Sequence, residues 1–218
     1  LRYNGVLLLE CAPIGNRISG TSSVMNLDGW NWEDATFKKD VGVHMNWPSR
    51  TRWKYDESQG SYKIIKNKNY DKIVNEFESF FDEASSYANS ESAEINLKLD
   101  AMEAVFSGDK QLFIHAKSTK EIIESIRFAQ NYDVKNIVLV SGTGTIDAAS
   151  FLAENNITVV MQKVHSLPDN EDMEQDLPFR LAKILNDAGV MVSLSSSSLS
   201  SSRNLAFFAG TVVAYGVP

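Results

Sequence analysis
Three histidines, His44, His115 and His165, are the residues of this chain best suited to metal or proton chemistry. Each falls late in, or just after, a short apolar run. His44 lies in Val41-Gly42-Val43-His44-Met45-Asn46, His115 in Gln111-Leu112-Phe113-Ile114-His115-Ala116, and His165 follows Ile157–Met161 in Lys163-Val164-His165-Ser166-Leu167-Pro168. An imidazole at a strand end can bind zinc through one nitrogen while a neighbour fixes the other, and carboxylates commonly complete such sites. None of the three has a local metal spacing such as H-x-H or H-E-x-x-H. Each is therefore also readable as a hydrogen-bonded, partly buried structural histidine, and spacing leaves that choice open.

Other chemistry-bearing patterns are weaker. Ser141-Gly142-Thr143-Gly144-Thr145 resembles a phosphate-cradling turn before a helix, but it lacks the G-x-G-x-x-G spacing and a Walker lysine. No G-x-S-x-G is present, and the single cysteine, Cys11, has no obvious local base and cannot form an internal disulfide or a zinc–cysteine cluster. Residues 169–176 form an acidic run that reads as solvated surface or as a contact for a basic substrate end. Trp30, Trp32, Trp47 and Trp53 cluster early, as a ligand-binding wall or as core and interface packing would.

The elements that must position these residues alternate. Short apolar runs at 6–11, 23–28, 41–46, 111–116, 136–141, 157–161 and 190–194 read as strands, the first of them buried on both faces. Helical spacing marks 70–87, 95–106, the segment after Ser118 or Thr119 to near Asp133, 146–155, 177–188 and 203–215. Strands alternating with helices imply a parallel sheet with helices outside, either a TIM-type barrel or an open doubly wound sheet. Seven strands are present, and an eighth upstream of Leu1 would close a barrel. Leu1-Arg2-Tyr3-Asn4-Gly5 reads as the end of a helix with its Gly cap, which suggests that an N-terminal portion precedes it. No linker-like shift divides residues 1–218, so one domain is expected. Serine fills 193–202 except at Leu194 and Leu199, the composition of a polar loop.

Composition narrows the function classes. With 43% hydrophobic and 22% charged residues the chain has ordinary globular composition, and its net charge of −7 opposes binding to a phosphate backbone. No apolar run reaches the roughly 20 residues of a membrane helix.

Taken in order, several segments resemble the amidohydrolase superfamily, in particular imidazolonepropionase-like amidohydrolases of the bacterial secreted type. They are Ile18-Ser19-Gly20-Thr21-Ser22-Ser23, Leu27-Asp28-Gly29-Trp30, His44-Met45-Asn46-Trp47-Pro48, Phe113-Ile114-His115-Ala116, Val164-His165-Ser166-Leu167-Pro168, Asp176-Leu177-Pro178-Phe179 and Arg203–Thr211. The resemblance spans nearly the whole chain. It implies a metal-dependent (β/α)8 TIM-type barrel, here incomplete, with the first strand and a flanking β-sandwich missing, and hydrolysis of a C–N bond in a small-molecule amide or peptide substrate. It implies a divalent metal, usually zinc, and a periplasmic or secreted location. His115 matches the fifth-strand metal ligand of such barrels. His44 or Asn46 stands where the fourth-strand ligand is expected, and His165 is a further candidate at the same mouth. The sixth-strand histidine and eighth-strand aspartate are missing, and no catalytic carboxylate is identifiable. A catalytically degenerate barrel that binds a ligand is the alternative reading, and an open binding module a third. A seven-strand barrel leaves two edges unpaired, so the segment alone is expected to aggregate, to be closed by a partner chain (a homo-oligomer included), or to be part of a longer polypeptide.

Overall fold
The computed structural model describes residues 1–15, 17–90, 95–168, 172–196 and 198–218. The expected acidic run therefore lies partly outside the described residues, at 169–171, as does Ser197 of the serine-rich segment. Nine strands are described: β1 (Leu8–Cys11), β2 (Ile18–Asn26), β3 (Thr36–Asn46), β4 (Thr51–Asp56), β5 (Ser61–Lys66), β6 (Gln111–His115), β7 (Ile137–Ser141), β8 (Thr158–Met161) and β9 (Val192–Leu194). The helices are α1 (Trp32–Ala35), α2 (Tyr70–Ala88), α3 (Leu97–Ser107), α4 (Thr119–Asn131), α5 (Ala149–Glu154), α6 (Leu177–Asp187), α7 (Leu199–Ser202) and α8 (Leu205–Ala214).

Seven strands form one mixed sheet in the order β1-β2-β3-β6-β7-β8-β9, and β4 pairs only with β5. β1, β2 and β3 are antiparallel neighbours, whereas each pair from β3–β6 to β8–β9 is parallel. The expected (β/α)8 barrel is thus not what the chain forms: the sheet is a half-barrel whose outer strands, β1 and β9, do not meet. Connection length explains the antiparallel part. Only residues 12–17 join β1 to β2, and 27–35 join β2 to β3, too few for the helical crossover that parallel neighbours require. An apolar run looks alike in either orientation, so periodicity did not separate the two cases. The first strand is also not buried on both faces. β1 is an edge strand, and Leu8 and Cys11 are exposed.

The second half follows the βα pattern. Ser118, three residues after His115, caps α4 through a complete capping box with Glu121 and so pins the helix start at Thr119. α2 places Phe77 and Phe81, both fully buried, against the Phe128 ring of α4. Burying each such ring is worth about 1.5–3 kcal/mol, more than helix propensity supplies. The helices from α2 to α6, together with α8, bury their apolar side chains in one large cluster with Val43, Met45, Leu112, Ile114, Leu139 and Val159. The alternate residues of the same strands face the other way, where Phe113, Val138 and Val140 form a small second cluster with Val160. Helices over one face only distinguish this sheet from a doubly wound one.

Three local differences complete the comparison. The polar stretch after Pro48 forms the β4–β5 hairpin. The helix expected from Ile146 begins only at Ala149, after a 3-10 turn over Thr143–Thr145. The opening residues make a single 3-10 turn over Arg2–Asn4, closed by Gly5 in the left-handed region. No helix of the described residues is long and apolar enough to cross a membrane.

Candidate functional site
His44 and His115 sit on neighbouring parallel strands, with His44 opposite Phe113 and Asn46 opposite His115 in the register. Both belong to the sheet face that the helices leave open. His44 Nδ1 lies 3.0 Å from His115 Nε2, a distance at which two imidazoles share one proton in a hydrogen bond. Two nitrogens each about 2.0–2.1 Å from one zinc ion lie about 3.3 Å apart at the tetrahedral angle, so the same pair could flank an ion with little movement.

His44 is almost wholly enclosed. Its ring stacks on Phe113 with centroids 4.5 Å apart and planes 1° from parallel. Gly42 makes room for that stack, since a Cβ there would fall 2.5 Å from Phe113 Cε2 and 2.8 Å from the Gln111 carbonyl oxygen. The second nitrogen, Nε2, is buried without a hydrogen-bond partner and faces Glu10 Oε1 at 3.7 Å. Glu10 in turn accepts a 2.6 Å hydrogen bond from the Ser22 hydroxyl. Three adjacent strands, β1, β2 and β3, therefore bring a carboxylate, a hydroxyl and an imidazole into one line that ends at His115 on β6.

The electrostatics follow from this line. Desolvation acts to raise the Glu10 carboxyl pKa, but its interactions with His44 and Ser22 outweigh that and hold it below the ordinary value. His115 is pushed down to about 4, first by burial and then by the neighbouring charge of His44. Near neutral pH it is an uncharged imidazole, the form that accepts a proton or binds a metal.

A second network fixes the chain after His44. Trp47 N–H donates to the His115 carbonyl oxygen at 2.9 Å, prolonging the β3–β6 pairing. Ser49 Oγ and Arg50 N–H both donate to Glu121 Oε1, at 3.0 and 2.8 Å, and Ser118 N–H donates to Glu121 Oε2. Arg50 also pairs with Glu124 and covers the Tyr70 ring at 4.2 Å. Burial and the Glu124 carboxylate push the Tyr70 phenol up to about 12. The loops that leave β3 and β6 are thereby tied to each other through α4.

The remaining sequence candidates go elsewhere. His165 contacts Thr211 at 2.7 Å and the rings of Phe179 and Phe208, on α6 and α8. Asn46 donates to Ser19 Oγ at 2.8 Å. The turn at 141–145 packs on the loop after His115: Ser141 Oγ donates to the Ala116 carbonyl, and Thr119 Oγ1 to that of Gly144. Gly144 is required there because a Cβ would overlap the Lys117 carbonyl oxygen, 1.9 Å away. Its smallness thus serves loop packing. Cys11 is exposed. Trp47 is buried in the core while Trp30, Trp32 and Trp53 are exposed, so the four tryptophans do not make one wall. Sequence reading missed Glu10, Ser22 and Phe113. The one usable signal was a lone carboxylate inside the apolar run Val6–Cys11.

Among the described residues no group of three His, Cys, Asp or Glu side chains is placed to hold a metal ion. His44 and His115 offer two nitrogens, one fewer than the three protein ligands a zinc site uses.

No family model matches the chain, and no curated protein matches it. Among solved structures, the crystal structure of an amidohydrolase from Thermotoga maritima MSB8 superposes with a TM-score of 0.75 at 20% identity, over 99% of this chain. The chain spans 57% of the length of that structure. At this identity the likeness establishes a shared fold, and the half-barrel corresponds to a part of that larger chain.

Proposed function
We propose that this chain carries part of the active site of a metal-dependent hydrolase of the amidohydrolase type, acting on the amide or peptide-type C–N bond of a small molecule. The observation that carries the reading is the 3.0 Å approach of His44 Nδ1 to His115 Nε2 at the carboxyl ends of adjacent parallel strands, where α/β folds place their reacting groups. The shared fold with an amidohydrolase supports it. The imidazolonepropionase-like branch is the finer assignment, and it rests on the order of the resembling segments alone.

In this reading His44 and His115 are two ligands of a divalent ion, zinc by preference for imidazole, and the described residues do not complete its shell. The chemistry such an ion supplies when bound is polarisation of the scissile carbonyl and activation of water. The chain's own residues prepare the nitrogens. A proton on His44 Nε2, facing Glu10, leaves the Nδ1 lone pair directed at His115. Ser22 holds the carboxylate, and Phe113 holds the plane of the ring. His115 stays uncharged and available.

Titration of the metal-stripped full-length protein with zinc, with amidase activity followed in parallel, is the direct test. Activity is expected to vanish with chelation and return with zinc, and His115→Asn and His44→Asn are each expected to weaken zinc binding at least tenfold. Full activity after complete metal removal rejects the proposal. The second reading, a half-barrel that binds a ligand without turning it over, is favoured by the incomplete ligand set. Elemental analysis of the intact protein showing no metal, together with small-molecule binding, selects it.

A further inference from the structure
We propose that the open sheet face beyond His115 selects a substrate with an uncharged aliphatic group beside the scissile bond, and that Val160 sets this preference. The inference rests on the amidohydrolase-type reading above and narrows its substrate class.

Strand register carries it. His115 pairs with Val140, Val140 with Val160 and Val160 with Ser193, so one cross-strand row runs from β6 to β9. Directly paired residues of neighbouring strands share a face. Val140 and Val160 belong to the small cluster on the open face. Val192 and Leu194 join the large cluster under the helices, which leaves Ser193 between them on the open face as well. At about 4.8 Å from strand to strand, Val160 stands roughly 10 Å from His115 and Ser193 roughly 14 Å.

The row opens toward β9. Val140 is 6% exposed, Val160 is half-buried and Ser193 is exposed. Phe113 and Val138, paired in the row below, are buried and close the floor. A group held beside His115 is therefore led along the row and not into the sheet. Space continues at the strand ends, where a Cβ added to Gly142, just after β7, would meet nothing within 4 Å. Val140, Val160 and Ser193 carry no charge, and the Glu10 carboxylate lies on the other side, facing His44. An ionised group laid over the two valines would lose water and gain no partner, whereas an aliphatic group replaces water against apolar carbon. Apolar contact of this kind separates substrates by about 10–200-fold.

The zinc-loaded full-length protein is tested on the p-nitroanilides of leucine, glutamate and lysine, which share one scissile C–N bond and differ in the side chain beside it. The leucine compound is expected to have a kcat/KM about tenfold or more above the other two. Val160→Asp is expected to reverse the order of leucine and lysine. Because a carboxylate in β8 can block folding, Ser193→Asp, at an exposed position, provides a second test. It is expected to raise the lysine-to-leucine ratio of kcat/KM severalfold. Zinc-dependent cleavage with equal kcat/KM on all three compounds, or with a charged one preferred, overturns the inference and leaves the hydrolase reading standing. So does a ratio indifferent to Ser193→Asp, or a folded Val160→Asp that keeps the wild-type order. Absence of zinc-dependent cleavage of all three counts against the hydrolase reading itself, and the inference falls with it.

Discussion

His44 shows how the site is set by single atoms. It is enclosed between Phe113, His115 and the Glu10 carboxylate, and each neighbour limits what the ring can do. The paired imidazoles cannot both be cations without bringing two N–H groups together, which is one reason His115 titrates low. In metal-free protein, histidine proton shifts followed by NMR against pH should show one ring, His115, titrating near 4. The sign for stability follows. The folded pKa is below the unfolded value of about 6.5, so the unfolded chain takes up this proton first. The contribution of His115 is intact above about pH 6.5 and is lost as pH falls toward 4. Denaturant midpoints measured across that window should decline, and the decline should shrink in His115→Gln. Gly42 gives a second check. Gly42→Ala drives a methyl group into Phe113 and the Gln111 carbonyl, an overpacking cost of about 1–3 kcal/mol. Chemical denaturation should register the loss, and the His44 ring resonances should move with Phe113.

Among the elements, α4 connects the two histidine strands. Glu121, 3% exposed, accepts from Ser49, Arg50 and Ser118 at once. Removing it strands buried donors, each of which costs about 1–3 kcal/mol. Glu121→Ala should therefore destabilise by about 2–4 kcal/mol in urea melts, the upper end reflecting more than one stranded donor. Glu121→Gln should lose less, since its amide oxygen still accepts. The cap was legible only as Ser118 or Thr119, and the capping box with Glu121 decides for Ser118; the amphipathic face of α2 was legible outright. The long-range partners of Glu121 were not, because Ser49 and Arg50 lie more than 70 residues away along the chain. The hairpin was missed for a related reason. Its aromatic residues alternate with Arg, Lys, Asp and Ser and it has no buried face, so the segment resembles a polar loop.

On the scale of the whole molecule, the sheet is strongest at its centre. β2, β3, β6, β7 and β8 have partners on both sides, whereas β1 and β9 are edges and β4–β5 stands apart. Native-state hydrogen exchange should find the slowest amides in β6 and β7, with β1, β9 and the hairpin exchanging orders of magnitude faster. Uniform protection across all seven strands of the sheet would mean that the edges are covered in solution.

The amino-acid order alone indicated the seven sheet strands and most helices, although β2 and β3 each begin five residues before the expected runs, and it showed that His44 and His115 stand late in two of those strands. Local periodicity and capping need only neighbours in the chain, so these features could be read directly. Orientation of the first three strands was decided by short connections, whose consequence appears only when the strands pair. Tertiary structure alone decided that Glu10 reaches His44, that the two imidazoles touch and that His165 turns to α6 and α8. Each of these depends on which strand lies beside which, a relation set by long-range packing that spacing along the chain does not encode.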